Sequence, residues 1–293
     1  PDPSETLPTG VDRIDAEGQG PGAPVAVIDT GIDLDHPDLN VAGGVNCTSG
    51  RTYDDGNGHG THVAGTIGAY ANGSGVVGVA PGTSVYAVRV LNNAGSGSWS
   101  SVICGIDWVT GSGIKIANMS LGGGGSDDGE CGYTNNDALH QAICNSVAAG
   151  VTYAVAAGND TMDAAGFVPA AYDEVITVSA LADFDGQRNA AGAATCRDDE
   201  DDSLANFSNY GADVDVAAPG VCILSTWPDG YNTISGTSMA SPHVAGALAL
   251  GVYGAYVETD PIDGDGICGM TDDPDGINEG ILNVGGTAVT SCS

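Results

Sequence analysis

Three short segments hold the residue types that nucleophilic acyl chemistry requires. Val27 to Asp33 reads VIDTGID, Asn57 to Thr66 reads NGHGTHVAGT, and Gly236 to Gly246 reads GTSMASPHVAG. A serine attacks a carbonyl when a base removes its proton, and a carboxylate must orient that base. Asp29, His59 and Ser238 offer one of each. Ser238 is expected to open a helix, with Gly236 permitting a tight approach. Pro242 is expected in the first turn, whose amides need no intrahelical partner. Asn159, in AAGND, carries a side-chain amide suited to a developing oxyanion, although Asn before Asp at a strand end also reads as a turn. His62 and His243 share these motifs and are expected to pack or hydrogen-bond within helices.

The surrounding pattern must place these groups together. Apolar runs at Pro24 to Ile28, Ile114 to Met119 and Val151 to Ala156 read as strands, with others at Val175 to Ser179 and Val214 to Ala217. Between them, Val102, Ile103, Ile106 and Val109 recur at helical spacing, as do Leu139, Ala142, Ile143 and Val147 within Asp137 to Ala149. Ser238 to Tyr256 reads as a long buried helix. Continuous apolar strands joined by helices predict an α/β fold with a buried parallel sheet, in one domain over residues 1–293. Functional residues then gather at the carboxyl ends of strands, where Asp29 and Asn159 fall.

The 38 acidic residues against 6 basic ones give a net charge of -32, which repels nucleic acid and anionic membranes, so neither is expected as a partner. Such an acid excess reads first as solvated surface suited to high salt, and secondarily as cation binding. Two acidic segments, Asp183 to Ser203 and Thr259 to Glu279, read as surface loops. The second hints at calcium through Asp263 and Asp265 but lacks the EF-hand spacing. Eight cysteines without zinc-ligand spacing favour disulfides and an oxidising compartment. The pairing is open; Cys131 with Cys144 and Cys268 with Cys292 are near in sequence, while Cys104 and Cys144, lying in helical patterns, also read as free buried thiols. No apolar stretch reaches the ~18 residues of a membrane span. The first residues have no signal-peptide pattern, so a mature secreted form without its targeting segment is expected. Five N-x-S/T tripeptides, at Asn46, Asn72, Asn118, Asn159 and Asn206, are taken as chance matches.

At the three motifs, and in their order Asp, His, Ser, the sequence closely resembles the subtilisin family of serine proteases. The resemblance implies a three-layer α/β fold and a secreted serine endopeptidase. Asp29 then orients the imidazole, His59 is base then acid, Ser238 is the nucleophile and Asn159 the oxyanion donor. It extends through Gly78 to Gly123, with VAPGTSVYAVRVL, GSGSW and NMSLGG. Gly95, Ser96 and Gly97 with Ser120, Leu121 and Gly122 would form substrate walls. Trp99 would cover a distal subsite, and Ala156, Ala157 and Gly158 would stand opposite. Phe167 and Val168 would close the primary pocket, with Phe167 either shortening it or pointing away. The family's structural calcium is expected at Glu5, Asp38, Tyr70, Asn72, Ser74 and Val76, the alternative being that Asp38 and Asn72 merely shape turns. Implied partners are polypeptide substrates and the chain's own pro-segment, with a monomer expected. A catalytically silent peptide-binding relative, or an esterase or transpeptidase using the same site, are the alternatives.

Overall fold

Unbroken apolar runs form strands with no solvent face. All five residues of β1 (Val25–Asp29) are buried. Val25 and Val27 belong to one hydrophobic cluster, Ala26 and Ile28 to another, as a strand between two helical layers requires. The computed structural model describes residues 5–187, 192–252, 257–258, 273–275 and 279–285. In chain order the remaining strands are β2 (Val41–Asn46), β3 (Val85–Arg89), β4 (Ile116–Met119), β5 (Gly123–Gly124), β6 (Thr152–Ala156), β7 (Phe167–Val168), β8 (Ile176–Ala182), β9 (Ser203–Leu204), β10 (Val216–Pro219), β11 (Ile223–Trp227), β12 (Gly230–Ile234), β13 (Val257–Glu258) and β14 (Ile281–Leu282).

The central sheet runs β13-β14-β10-β8-β6-β4-β1-β3-β2, with β9 beside β8. Its pairings are parallel except β13 on β14 and β9 on β8. After the short α1 (Thr9–Arg13), helices α2 (His59–Gly68) and α5 (Thr237–Leu250) pack in the cluster on one face. Helices α3 (Trp99–Ser112) and α4 (Ala138–Ala148) pack in the cluster on the other. The mainly parallel sheet between helices is the expected α/β architecture.

Local chemistry sets the helix ends. Asp137, expected inside the helix, instead caps α4, its carboxylate accepting from the amides of Leu139 and His140. Helix α5 stops at Leu250, short of the expected Tyr256, because Gly251 turns left-handed at φ 73° and ends the hydrogen-bond ladder.

Disulfides join Cys47 to Cys104, Cys131 to Cys144 and Cys196 to Cys222. Cys104 and Cys144 are therefore not free thiols. Cys268 and Cys292 lie outside the described residues.

The acidic segment at 183–203 is only partly the expected surface loop: residues 193–196, 198 and 200 are exposed, while four of its acids turn inward. Asp183, Asp199, Asp201 and Asp202 are buried. Asp202 meets the buried Arg13 at 3.0 Å, and Asp201 accepts from the amides of Phe184 and Gly192. The Arg13 pair spans 189 residues of sequence, so composition alone reads the segment as surface.

Candidate active site

The carboxyl ends of β1, β4 and β6 lie side by side, and a cleft of about 760 Å³ opens above them. Asp29, the last residue of β1, is fully buried. Its carboxylate accepts from the Thr30 amide at 2.7 Å and holds His59 Nδ1 at 2.8 and 2.9 Å. His59 is the first residue of α2, and its ring stays partly open to the cleft. Burial opposes a charge on His59, but the Asp29 charge, the hydrogen bond to it and the Asp55 charge together raise its pKa.

The position of His59 depends on a residue that the sequence motifs do not single out. Asp55 Oδ1 accepts from Thr30 Oγ1 and the amides of Asn57 and Gly58, and Oδ2 accepts from the Thr61 amide and hydroxyl. Five donors thus gather the loop and the first turn of α2 around one buried carboxylate. Close approach does the rest: a Cβ on Gly60 would lie 2.1 Å from the Gly31 carbonyl oxygen.

Ser238 is the second residue of α5, where amides have no intrahelical acceptor. Pro242 is the sixth, beyond the expected first turn, so its missing N–H leaves the Ser238 carbonyl without its helical donor. The Ser120 hydroxyl supplies one at 2.8 Å and also meets Ser241 Oγ and Asn118 Nδ2, each at 2.9 Å. Ser120 thus holds the turn that carries Ser238 through its side chain as well as lining the cleft. The Ser238 hydroxyl points to the Ser120 carbonyl at 3.4 Å and makes no hydrogen bond to His59. Asn159 Oδ1 accepts from the Thr237 amide at 2.8 Å and hydroxyl at 3.0 Å, which orients its NH2 group as the remaining donor. Asn209 supports that loop, donating to the Ala157 carbonyl and accepting from the amides of Asp160 and Met162.

The subtilase family model matches residues 20–256. The chain belongs to the subtilase family. It is 43% identical over 259 residues to subtilisin DY of Bacillus licheniformis, covering 84% of this chain and 85% of that one. Against subtilisin Savinase of Lederbergia lenta it is 40% identical over 255 residues, covering 84% of each. A solved cold-adapted subtilisin-like serine proteinase superposes with a TM-score of 0.70 at 34% identity, over 94% of this chain and 97% of that one. Membership and these relatives make the protein a serine endopeptidase.

Within this subtilase, Gly95, Ser96, Gly97, Trp99, Ser120, Leu121, Gly122, Ala156 and Gly158 line the cleft with His59, Asn159 and Ser238. Ala157 does not; it is buried, its amide donating to Val178 and its carbonyl accepting from Asn209. The Phe167 ring lines the cleft and packs where side chains of Gly122 and Gly158 would stand, so it does not point away. His62 and His243 bond backbone carbonyls of Ile223 and Met239, and burial lowers their pKa values to about 3 and about 4.

The residues expected to hold calcium come together away from the cleft. Glu5 Oε1 accepts from the amides of Asn72 and Gly73, at 2.7 and 2.6 Å. Asp38, buried, accepts from Asn72 Nδ2 at 3.0 Å, the Val76 amide at 3.1 Å and Tyr231. The Tyr70 amide donates to the Asp38 carbonyl, and the Ser74 amide to Asn72 Oδ1. Burial raises the Asp38 pKa. Glu5 Oε1, both Asp38 oxygens and Asn72 Oδ1 are thus each met by a protein donor.

Proposed function

We propose that the chain hydrolyses internal peptide bonds of polypeptides through an acyl-enzyme on Ser238. The observation that carries this reading is the buried Asp29 gripping His59 Nδ1 at the rim of the cleft that Ser238 also lines. With Nδ1–H donated to Asp29, the Nε2 lone pair is left for the serine. On substrate binding the Ser238 hydroxyl turns from Ser120 to His59; such bonds commonly tighten only in the complex. His59 takes the proton as Oγ bonds to the carbonyl carbon. The oxyanion is met by Asn159 Nδ2 and the Ser238 amide. His59 then protonates the leaving amine, and water repeats the sequence to free the enzyme.

The backbones of 95–97 and 120–122 would pair with an extended substrate as added strands. Phe167, lying against Gly122 and Gly158, shortens the primary pocket and points to small side chains at the cleavage position. Calcium at Glu5, Asp38, Asn72 and the carbonyls of Tyr70, Ser74 and Val76 would tie the N-terminal segment to the body and stabilise the folded state by mass action. The disulfides support secretion into an oxidising compartment. The charge of -32 supports a protein that tolerates salt, acting as a monomer after parting from its pro-segment.

Internally quenched peptides with Ala or Phe at the cleavage position test this. The parent should cut the Ala peptide faster, and Ser238→Ala should lose about 10⁶ in kcat, the loss measured for subtilisin itself, with an unchanged melting curve. Activity within about tenfold of the parent would remove Ser238 as the nucleophile.

A further inference from the structure

We propose that Asp273, Asp275 and Glu279 bind a calcium ion that fixes the start of β14 to the central sheet. One carboxylate oxygen of each lies within 4.8 Å of the others. Proximity alone is common among exposed acids. Here Glu279 is only 4% exposed, and among the described residues neither of its oxygens meets a hydrogen-bond partner. A buried carboxylate without a donor is costly, and facing it with two more carboxylates adds repulsion. A cation removes both penalties at once.

Among the described residues, no acid outside this cluster is buried with an unpartnered oxygen. Asp201 and Asp183 accept from backbone amides, and Asp128 accepts from four amides and the Thr134 hydroxyl. Three carboxylates with all-oxygen chemistry suit calcium, which accepts flexible geometry, better than a metal that seeks nitrogen or sulfur.

The location gives the ion its structural role. Glu279 immediately precedes Gly280, whose carbonyl accepts from the Ala217 amide of β10, and Ile281 pairs with Ala217. Beyond β14, the Val284 amide donates to the Ile14 carbonyl. Pro274 shares a hollow with Asp199 and Asn206, so the same ion would draw this segment against the acidic 183–203 region. The cluster lies past residue 256, where the family match ends, so it is distinct from the site around Asp38.

The test uses the phosphonate-blocked protein, stripped with chelator and re-equilibrated with calcium. Bound calcium is counted by atomic emission and melting is followed with and without chelator. Glu279→Gln should carry one calcium fewer per chain than the parent, while Asp38→Asn loses a different one and the double variant loses both. In calcium, Glu279→Gln should melt below the parent; in chelator the order should reverse, because the neutral amide relieves repulsion. Asp275→Asn, at an exposed position, guards against misfolding and should weaken calcium binding at this site by at least about tenfold. Equal calcium content in parent and Glu279→Gln, a Glu279→Gln chain that melts higher in both conditions, or an unchanged affinity in Asp275→Asn would overturn the site.

Discussion

Asp55 and Glu279 are both buried carboxylates, and their surroundings are opposites. Asp55, at 8% exposure, accepts from five donors and organises the loop that carries His59. Glu279, at 4%, has no donor among the described residues and faces Asp273 and Asp275. A buried charge is tolerated when the protein supplies its hydrogen bonds and is a site for something else when the protein does not. The subtilase thus uses one residue class in two ways: near the cleft, carboxylates are framework, and at the far edge of the sheet they wait for a cation.

The largest effect that would sharpen this contrast lies beside the donor-rich region. Asn159 is held by Thr237 with only its NH2 end spare. Asn159→Ala should lower kcat by about 10² to 10³ with little change in KM, the loss measured in subtilisin when its oxyanion asparagine is removed. An unchanged kcat would take Asn159 out of the oxyanion site. Next comes Asp55→Asn, the same kind of change as Glu279→Gln with the opposite expected sign. An amide cannot accept on both sides, so the NH2 end leaves at least one buried amide hydrogen unpaired, a cost of about 1–3 kcal/mol. The melting temperature should fall by several degrees. The looser His59 should cost on the order of tenfold to a hundredfold in kcat. If Asp55→Asn melts at or above the parent in chelator, as Glu279→Gln should, the two carboxylates are not held differently.

Much of the cleft was legible because its residues sit in continuous motifs. Asp29, His59 and Ser238 each lie at a strand end or helix start, and Asn159 just beyond a strand, that local patterning reveals, and β1, β4 and β6 appear as mostly apolar runs. What local patterning could not reveal depends on partners far along the chain. Asp55 lies in a run of Asp, Gly and Asn that reads as an ordinary turn, although an Asp two residues before Asn57 is a usable signal for such a hub. Ser120 reads as cleft wall, and its service to the Ser238 carbonyl follows from Pro242, 122 positions away by sequence number. The buried acids at 183–203 resemble solvent-facing ones until Arg13 is brought to them. Ala157 reads as wall because it follows Ala156, yet strand alternation turns it under the surface.

The smallest effect expected is a shift in pH dependence, and it tests whether Asp55 acts on His59 by charge as well as by scaffolding. Burial disfavours the imidazolium, and the Asp29 charge, its hydrogen bond and the Asp55 charge outweigh that, so the His59 pKa lies above the ordinary value of about 6.5. As the proposed base, His59 must be neutral to accept the Ser238 proton. Accordingly, kcat/KM should rise with pH and reach half its plateau above about 6.5. Stability runs the other way: a histidine whose folded pKa is raised contributes fully below its unfolded value and loses that contribution as pH rises through the folded one. The enzyme therefore works where this increment of stability is gone. Asp55→Asn removes one of the charges holding His59 up, so the acid limb should move down, whereas Glu279→Gln, remote from the cleft, should leave it in place. Profiles of kcat/KM from about pH 5 to about pH 9 on the three proteins measure this directly. A parent limb at or below about 6.5 would contradict the balance of charges around His59, and a limb unmoved in Asp55→Asn would reduce Asp55 to a purely mechanical support.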